Sequence, residues 1–211
     1  EDDSAAAVTV DGSGNVVVAG SSSNGGNFDY YTAKYAAGDG VLLWEKRYNG
    51  PANDIDSASA VTVDGSGNVV VTGYSYSTSG YPDYYTAKYA TGDGALLWEK
   101  RYNGPANRED NAQAVKVDGS GNVVVTGNSY NANYVSDYYT AKYAAADGTL
   151  LWEQHYNGPA NGNDLIKSRF ALAITPSGGV VVTGASDADY SYYGDIPDYA
   201  TILYLSLPGI I

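Results

Sequence analysis

The feature that most constrains this chain is its own repetition. Asp11-Gly12-Ser13-Gly14-Asn15, followed by Val16-Val17-Val18, returns at Asp64 to Val71 and at Asp118 to Val125, with a diverged copy at Thr175 to Val182. Asp29-Tyr30-Tyr31-Thr32-Ala33-Lys34-Tyr35 returns at Asp83 to Tyr89 and at Asp137 to Tyr143, and Asp198-Tyr199-Ala200-Thr201 opens a last copy. Leu43-Trp44-Glu45, Leu97-Trp98-Glu99 and Leu151-Trp152-Glu153 each lead into Tyr-Asn-Gly-Pro-Ala-Asn, a segment the last unit lacks. The period is 53 or 54 residues, stretching to 61 at the end. A repeated unit of this size is one supersecondary element that buries its apolar surface against its neighbours.

Each unit reads as a run of short strands divided by turn chemistry. In the first unit, strand A covers about Ala6 to Val10, where small or apolar residues alternate with polar ones at a period of two. Asp-Gly-Ser-Gly-Asn tolerates positive φ and closes a tight hairpin. Strand B follows as Val16 to Ala19, strand C as Tyr30 to Tyr35 and strand D as Val41 to Tyr48, with a Gly-Asp-Gly turn at 38–40. Pro51 ends the pairing, because it brings no N–H to a ladder. No segment carries a helical period.

Four antiparallel strands in a repeat of about 50 residues fit a propeller blade better than a solenoid coil. The expected fold is therefore all-β, a β-propeller of four blades in one domain, with blades at about 1–53, 54–107, 108–161 and 162–211. A single four-bladed ring is the first choice, and two chains sharing one eight-bladed ring the alternative. The last unit has only three strands, giving 15 where four full blades need 16. Its outer strand is missing, so strand C of that unit, Tyr199 to Leu205, is an open edge. Tyr199, Thr201, Leu203 and Leu205 are the candidate self-association residues on it, since an apolar unpaired edge invites another chain. Head-to-tail contacts of that kind make filaments when they do not close. Truncation would leave the same edge.

The repeated string Val-Asp-Gly-Ser-Gly-Asn-Val-Val-Val-Thr-Gly, with Asp-Tyr-Tyr-Thr-Ala-Lys-Tyr and Leu-Trp-Glu before Tyr-Asn-Gly-Pro, resembles the SBBP-type β-propeller repeat of secreted and surface-anchored prokaryotic proteins. The resemblance implies an extracellular or cell-surface setting, and it brings no common reaction and no catalytic residues. Asp39-Gly40-Val41-Leu42-Leu43-Trp44 is more distantly similar to quinoprotein propeller repeats, which need more blades and a dedicated cofactor pocket. No cofactor is expected.

Successive strands reverse direction, so the B-to-C and D-to-A connections share one face. That face carries 21–28, 74–82, 128–136 and 185–197, rich in Tyr, Ser, Asn and Gly, a composition that antibody loops use for binding. Tyr74, Tyr76, Tyr81, Tyr130, Tyr134, Tyr190, Tyr192 and Tyr193 are the candidate ligand-binding residues, for a carbohydrate or a peptide; exposed loops also vary without binding anything. Asp54, Asp56, Glu109, Asp110 and Asp164 gather on the same face, but their spacing matches no calcium loop, and no metal site is expected. Asp11, Ser13 and Asn15 read as a hairpin turn, not half of an EF-hand. Trp44, Trp98 and Trp152 are expected in the core between blades.

Charge and composition narrow the partners. Lys and Arg number 11 against 24 Asp and Glu, a net charge of −13 that repels nucleic acid and anionic membranes. There is no cysteine, and no apolar run long enough to cross a bilayer. A chain opening at Glu1 with no methionine reads as a mature, secreted product. The only histidine, His155, stands where the other units have Arg47 and Arg101, and supports no catalytic triad. The expected function is a non-enzymatic extracellular scaffold, partnered by copies of itself or by surface polymers or proteins. A carbohydrate- or peptide-binding module is the alternative, and a polysaccharide-acting enzyme an outside one.

Overall fold

A computed structural model describes residues 2–23, 25–187 and 198–205, and among the described residues every regular element is a strand. The first blade is β1 (Asp3–Val10), β2 (Val16–Ser23), β3 (Phe28–Tyr35) and β4 (Leu42–Tyr48), paired antiparallel in chain order. The second is β5 (Asp56–Val63), β6 (Val69–Tyr76), β7 (Pro82–Tyr89) and β8 (Leu96–Tyr102). The third is β9 (Asp110–Val117), β10 (Val123–Tyr130), β11 (Ser136–Tyr143) and β12 (Leu150–Tyr156). The chain forms four blades of a β-propeller.

The turns behave as their residues demand. Gly14 sits at φ 83°, open to glycine without strain. The Asp11 carboxylate accepts the backbone N–H groups of Ser13 at 2.8 Å and Asn15 at 2.9 Å, which fixes the β1–β2 register of Val10 against Val16. Most strands exceed the expected lengths: β1 begins at Asp3 and β2 runs to Ser23, drawing Ser and Gly into the ladder although both are poor strand formers. Backbone pairing within a sheet packed on its neighbour overrides local propensity there.

The last blade differs in a way the sequence predicts in part. Its inner position is split into β13 (Asp164–Leu165) and β14 (Leu172–Ile174), both paired with β15 (Val180–Ser186), and β16 (Asp198–Tyr204) follows. Three strand positions are filled, and among the described residues no strand pairs with the outer edge of β16. The split arises because 166–171 leaves the ladder between the two halves.

The core lies between blades. Each blade presents an outgoing face to the incoming face of the next. Val17, Ala19, Tyr30 and Trp44 of the first pack on Ala58, Val69, Val71, Tyr85 and Tyr89 of the second. Val70, Tyr84 and Trp98 repeat this against Val123, Val125, Tyr139 and Tyr143. Trp44 and Trp98 are thus buried between blades as expected, while Trp152 is half-buried beside Tyr204, ring centroids 5.9 Å apart.

The first and fourth blades do not complete a ring in this manner. Val8 and Val10 of the first blade's incoming face are 67% and 55% exposed, and Tyr199 on the last blade's outgoing face is 84% exposed. The Arg169 guanidinium donates to the Ala6 carbonyl, spanning the two ends near the axis. Among the described residues, the outgoing face of the last blade and the incoming face of the first are therefore exposed where the internal joins are buried.

Candidate interaction site

The open ends gain meaning from the closed interfaces. In the first of these, the Tyr30 hydroxyl donates to the Tyr85 carbonyl of the next blade at 3.1 Å, and Tyr48 stacks on Tyr85 with centroids 3.8 Å apart. Tyr84 donates to Tyr139 O at 3.3 Å and Tyr102 stacks on Tyr139 at 3.6 Å. Tyr138 donates to Ala185 O at 2.8 Å in the third interface, where Ala200 replaces the stacked tyrosine. The alternation of strand C produces this division, since neighbouring side chains point to opposite faces.

A buried ion pair completes the first two joins, and the same pair recurs within the third blade as Lys142 and Asp118 at 2.6 Å. Lys34 Nζ lies 2.8 Å from Asp11 of its own blade and donates across the interface to Thr91 O at 3.1 Å and Thr91 Oγ1 at 2.7 Å. Trp44 Nε1 donates to the same carbonyl at 3.2 Å. Lys88 repeats this with Asp64 at 2.8 Å and Ala145 O at 2.9 Å. Burial alone would raise the Asp11 carboxyl, but hydrogen bonds from Lys34, Asn15 and Ser13 hold it well below the usual range. Sequence reasoning missed this pair. Its signal was that Asp11 and Lys34 recur together in three units and are lost together in the fourth, as Thr175 and Leu203.

The candidate edge residues occupy the corresponding positions of the last blade, where no further blade covers them among the described residues. Tyr199 stands where Tyr30, Tyr84 and Tyr138 stand, and those three are at most 1% exposed. Leu203 and Leu205 are also exposed, as is Thr201. At the other end, the incoming face of the first blade leaves Ala5, Val8 and Val10 exposed and Val18, Tyr31 and Tyr35 half-buried.

The candidate tyrosines divide differently. Tyr74 and Tyr76 lie at the end of β6 and Tyr130 at the end of β10, all half-buried, with Tyr74 and Tyr76 edge to face at 6.3 Å. Tyr81 and exposed Tyr134 lie in loops on either side of Arg108, whose guanidinium is 5.2 Å from one ring and 4.2 Å from the other. The structure brings that pair together with a cation. Tyr190, Tyr192 and Tyr193 lie outside the described residues.

The acidic residues of the same face are used by the fold. Asp56, Asp110 and Asp164 are buried and accept the N–H of Gly50, Gly104 and Gly158, each at 2.6 Å, closing the Asn-Gly-Pro turn onto the next blade. Burial, with the nearby Asp83 charge, pushes the Asp110 carboxyl up to about 6. Among the described residues no group of three or more His, Cys, Asp or Glu side chains could hold a metal ion.

The family of the outer membrane protein assembly factor BamB matches residues 32–193. The chain belongs to that family. This places it among β-propeller repeat proteins, the coarser level of the SBBP-type resemblance read from the motifs. The crystal structure of BamB from Moraxella catarrhalis is similar over 88% of this chain, with a TM-score of 0.55 and 13% sequence identity. That match takes in 48% of the Moraxella chain, so this chain spans about half the length of the solved structure it resembles. No curated protein matches its sequence.

Proposed function

We propose that this protein is a non-enzymatic interaction scaffold, working outside the cytoplasm, whose end faces take a further propeller blade from a second copy of the same chain. The single observation that carries the reading is Tyr199. The same tyrosine is buried at every internal join and exposed only at the end, beside the exposed Leu203 and Leu205. The first blade offers the opposite half of the join through Ala5, Val8, Val10 and Tyr31. A heterologous contact of this kind closes a ring of two chains or propagates as a filament, depending on the rotation per subunit. Family membership is consistent with it, because BamB is described as an assembly factor for outer membrane proteins.

The test is the mass of the protein across the micromolar range by sedimentation, for the native chain and for Tyr199→Asp with Leu203→Asp. Concentration-dependent association that the double variant abolishes is expected. A native chain that stays monomeric throughout overturns the proposal.

A second reading rests on the Tyr81–Arg108–Tyr134 cluster, a pre-arranged aromatic and cationic surface suited to a carbohydrate or peptide. Alanine at Tyr81, Arg108 and Tyr134 should then abolish binding to surface glycans, measured on a glycan array, while unchanged binding removes this reading.

A further inference from the structure

One side chain in the third blade breaks the repeat, and the space it leaves has the form of a receptor. In the second blade, Arg101 fills a recess at the end of the sheet with four hydrogen bonds: to Tyr48 Oη at 3.2 Å, Ser75 Oγ at 2.8 Å, Ser75 O at 2.8 Å and Asp83 Oδ2 at 3.1 Å. In the third blade the corresponding groups are Tyr102, Ser129 and Asp137, and the residue facing them is His155. His155 keeps only the tyrosine contact, its Nε2 lying 3.4 Å from Tyr102 Oη. The imidazole is shorter than the arginine and packs against Tyr139, ring centroids 5.0 Å apart.

The consequence is a cavity of about 320 Å³ lined by Pro105, Ser129, Tyr130, Asn131, Asp137 and His155, among others. It lies beside the Tyr130–Ala132 segment, on the loop face. Asp137 Oδ1 is buried there with no hydrogen-bond partner, as Asp83 Oδ1 is in the second blade, but Asp83 Oδ2 is held by Arg101 at 3.1 Å and, among the described residues, no cation takes that place at Asp137. A buried carboxylate left without a donor is costly and favours a cation that brings one. Burial and the Asp164 charge push the Asp137 carboxyl up to about 6.

We propose that this cavity binds a guanidinium group supplied from outside the chain, held by Asp137 and by the Ser129 hydroxyl and carbonyl as Arg101 is held by Asp83 and Ser75. The planar fork of a guanidinium matches a carboxylate beside a carbonyl, which an ammonium point charge does not. The group comes either from a free guanidino compound or from an arginine side chain of a polypeptide.

The experiment titrates the intact protein with N-acetyl-arginine amide, N-acetyl-lysine amide and the tripeptide Ala-Arg-Ala, followed by calorimetry and by NMR of the His155 ring. Saturable binding of the arginine amide is expected, weakened at least about tenfold for the lysine amide, the effect of losing one charge-assisted hydrogen bond. His155→Arg places in the recess the residue that the second blade already accommodates, so it should fold and should abolish binding. Asp137→Asn should weaken binding by at least about tenfold. Tighter binding of the tripeptide than of the amide assigns the ligand to a polypeptide, and equal binding assigns it to a small molecule. No saturable binding, equal affinity for the lysine amide, or undiminished binding by His155→Arg overturns the proposal.

Discussion

The ring of Tyr48 lies 3.8 Å above the ring of Tyr85 and 12° from parallel to it, joining the last strand of one blade to the third strand of the next. Tyr85 also receives Tyr30 edge-on at 5.2 Å and donates its hydroxyl to Glu99 at 2.7 Å. One side chain thus serves the interface through its faces and its own blade through its tip.

Tyr85→Ala should therefore destabilise the protein by about 3–5 kcal/mol, the range for removing a large aromatic from a packed interior. Tyr85→Phe keeps both ring contacts and should cost only about 1 kcal/mol for the lost hydrogen bond. Urea unfolding of the two variants checks the contrast, and similar losses would show that the bond to Glu99 within the blade, not the ring contacts across the join, carries the stability.

The buried ion pair invites a comparison that the fourth blade has already made. Lys88→Leu strands the Asp64 carboxylate in the interface and should cost about 3–5 kcal/mol. In the fourth blade the pair is replaced by Thr175 and Leu203, and Thr175 Oγ1 still accepts Gly179 N at 2.9 Å to hold the turn. Lys88→Leu combined with Asp64→Thr should accordingly recover part of the loss, read from unfolding midpoints. A double variant worse than the single one would mean that the carboxylate matters for the turn more than for the lysine.

Stability should rise as the pH falls from neutrality. Asp110 and Asp137 are raised to about 6 in the folded protein, chiefly by burial, above the value of about 3.9 for an unfolded chain. Between those values the folded state binds more protons than the unfolded state, so the stability contributed by these groups falls as pH rises through that window. Asp64 and Asp118 act in the opposite sense. Despite burial, their lysine partners lower them, so their contribution is complete above about 4 and is lost as pH falls through their depressed values. Denaturant midpoints should peak near pH 4–5, by roughly the span between these two windows. A profile that is flat from neutrality to pH 5 would count against the raised carboxylates.

Much of this fold was legible because turn residues recur at fixed offsets. Asp11-Gly12-Ser13-Gly14-Asn15 announces its hairpin, and the alternation of Tyr30 and Tyr31 assigns one tyrosine to each face of its strand. Other features were not legible, for definite physical reasons. The extension of β2 through Gly20 to Ser23 depends on pairing with β1 and β3, which local propensity does not record. The split inner strand of the fourth blade follows from 166–171, which has no counterpart to compare with. The recess beside His155 required knowing where Arg101 points. The substitution itself was visible in the sequence, where it argued only against a catalytic triad, and it is the cavity behind it that gives it chemical content.

The arrangement of the blades, packed chiefly on their neighbours in the chain with the Arg169–Ala6 contact between first and last, makes their cohesion close to a sum of unit and nearest-neighbour terms, as in a linear array. The second and third blades are clamped on both sides and the first and last on one. Opening should begin at the two termini and travel inward, so backbone amides of β1 and β16 should exchange with deuterium soonest and those of β6 and β10 last.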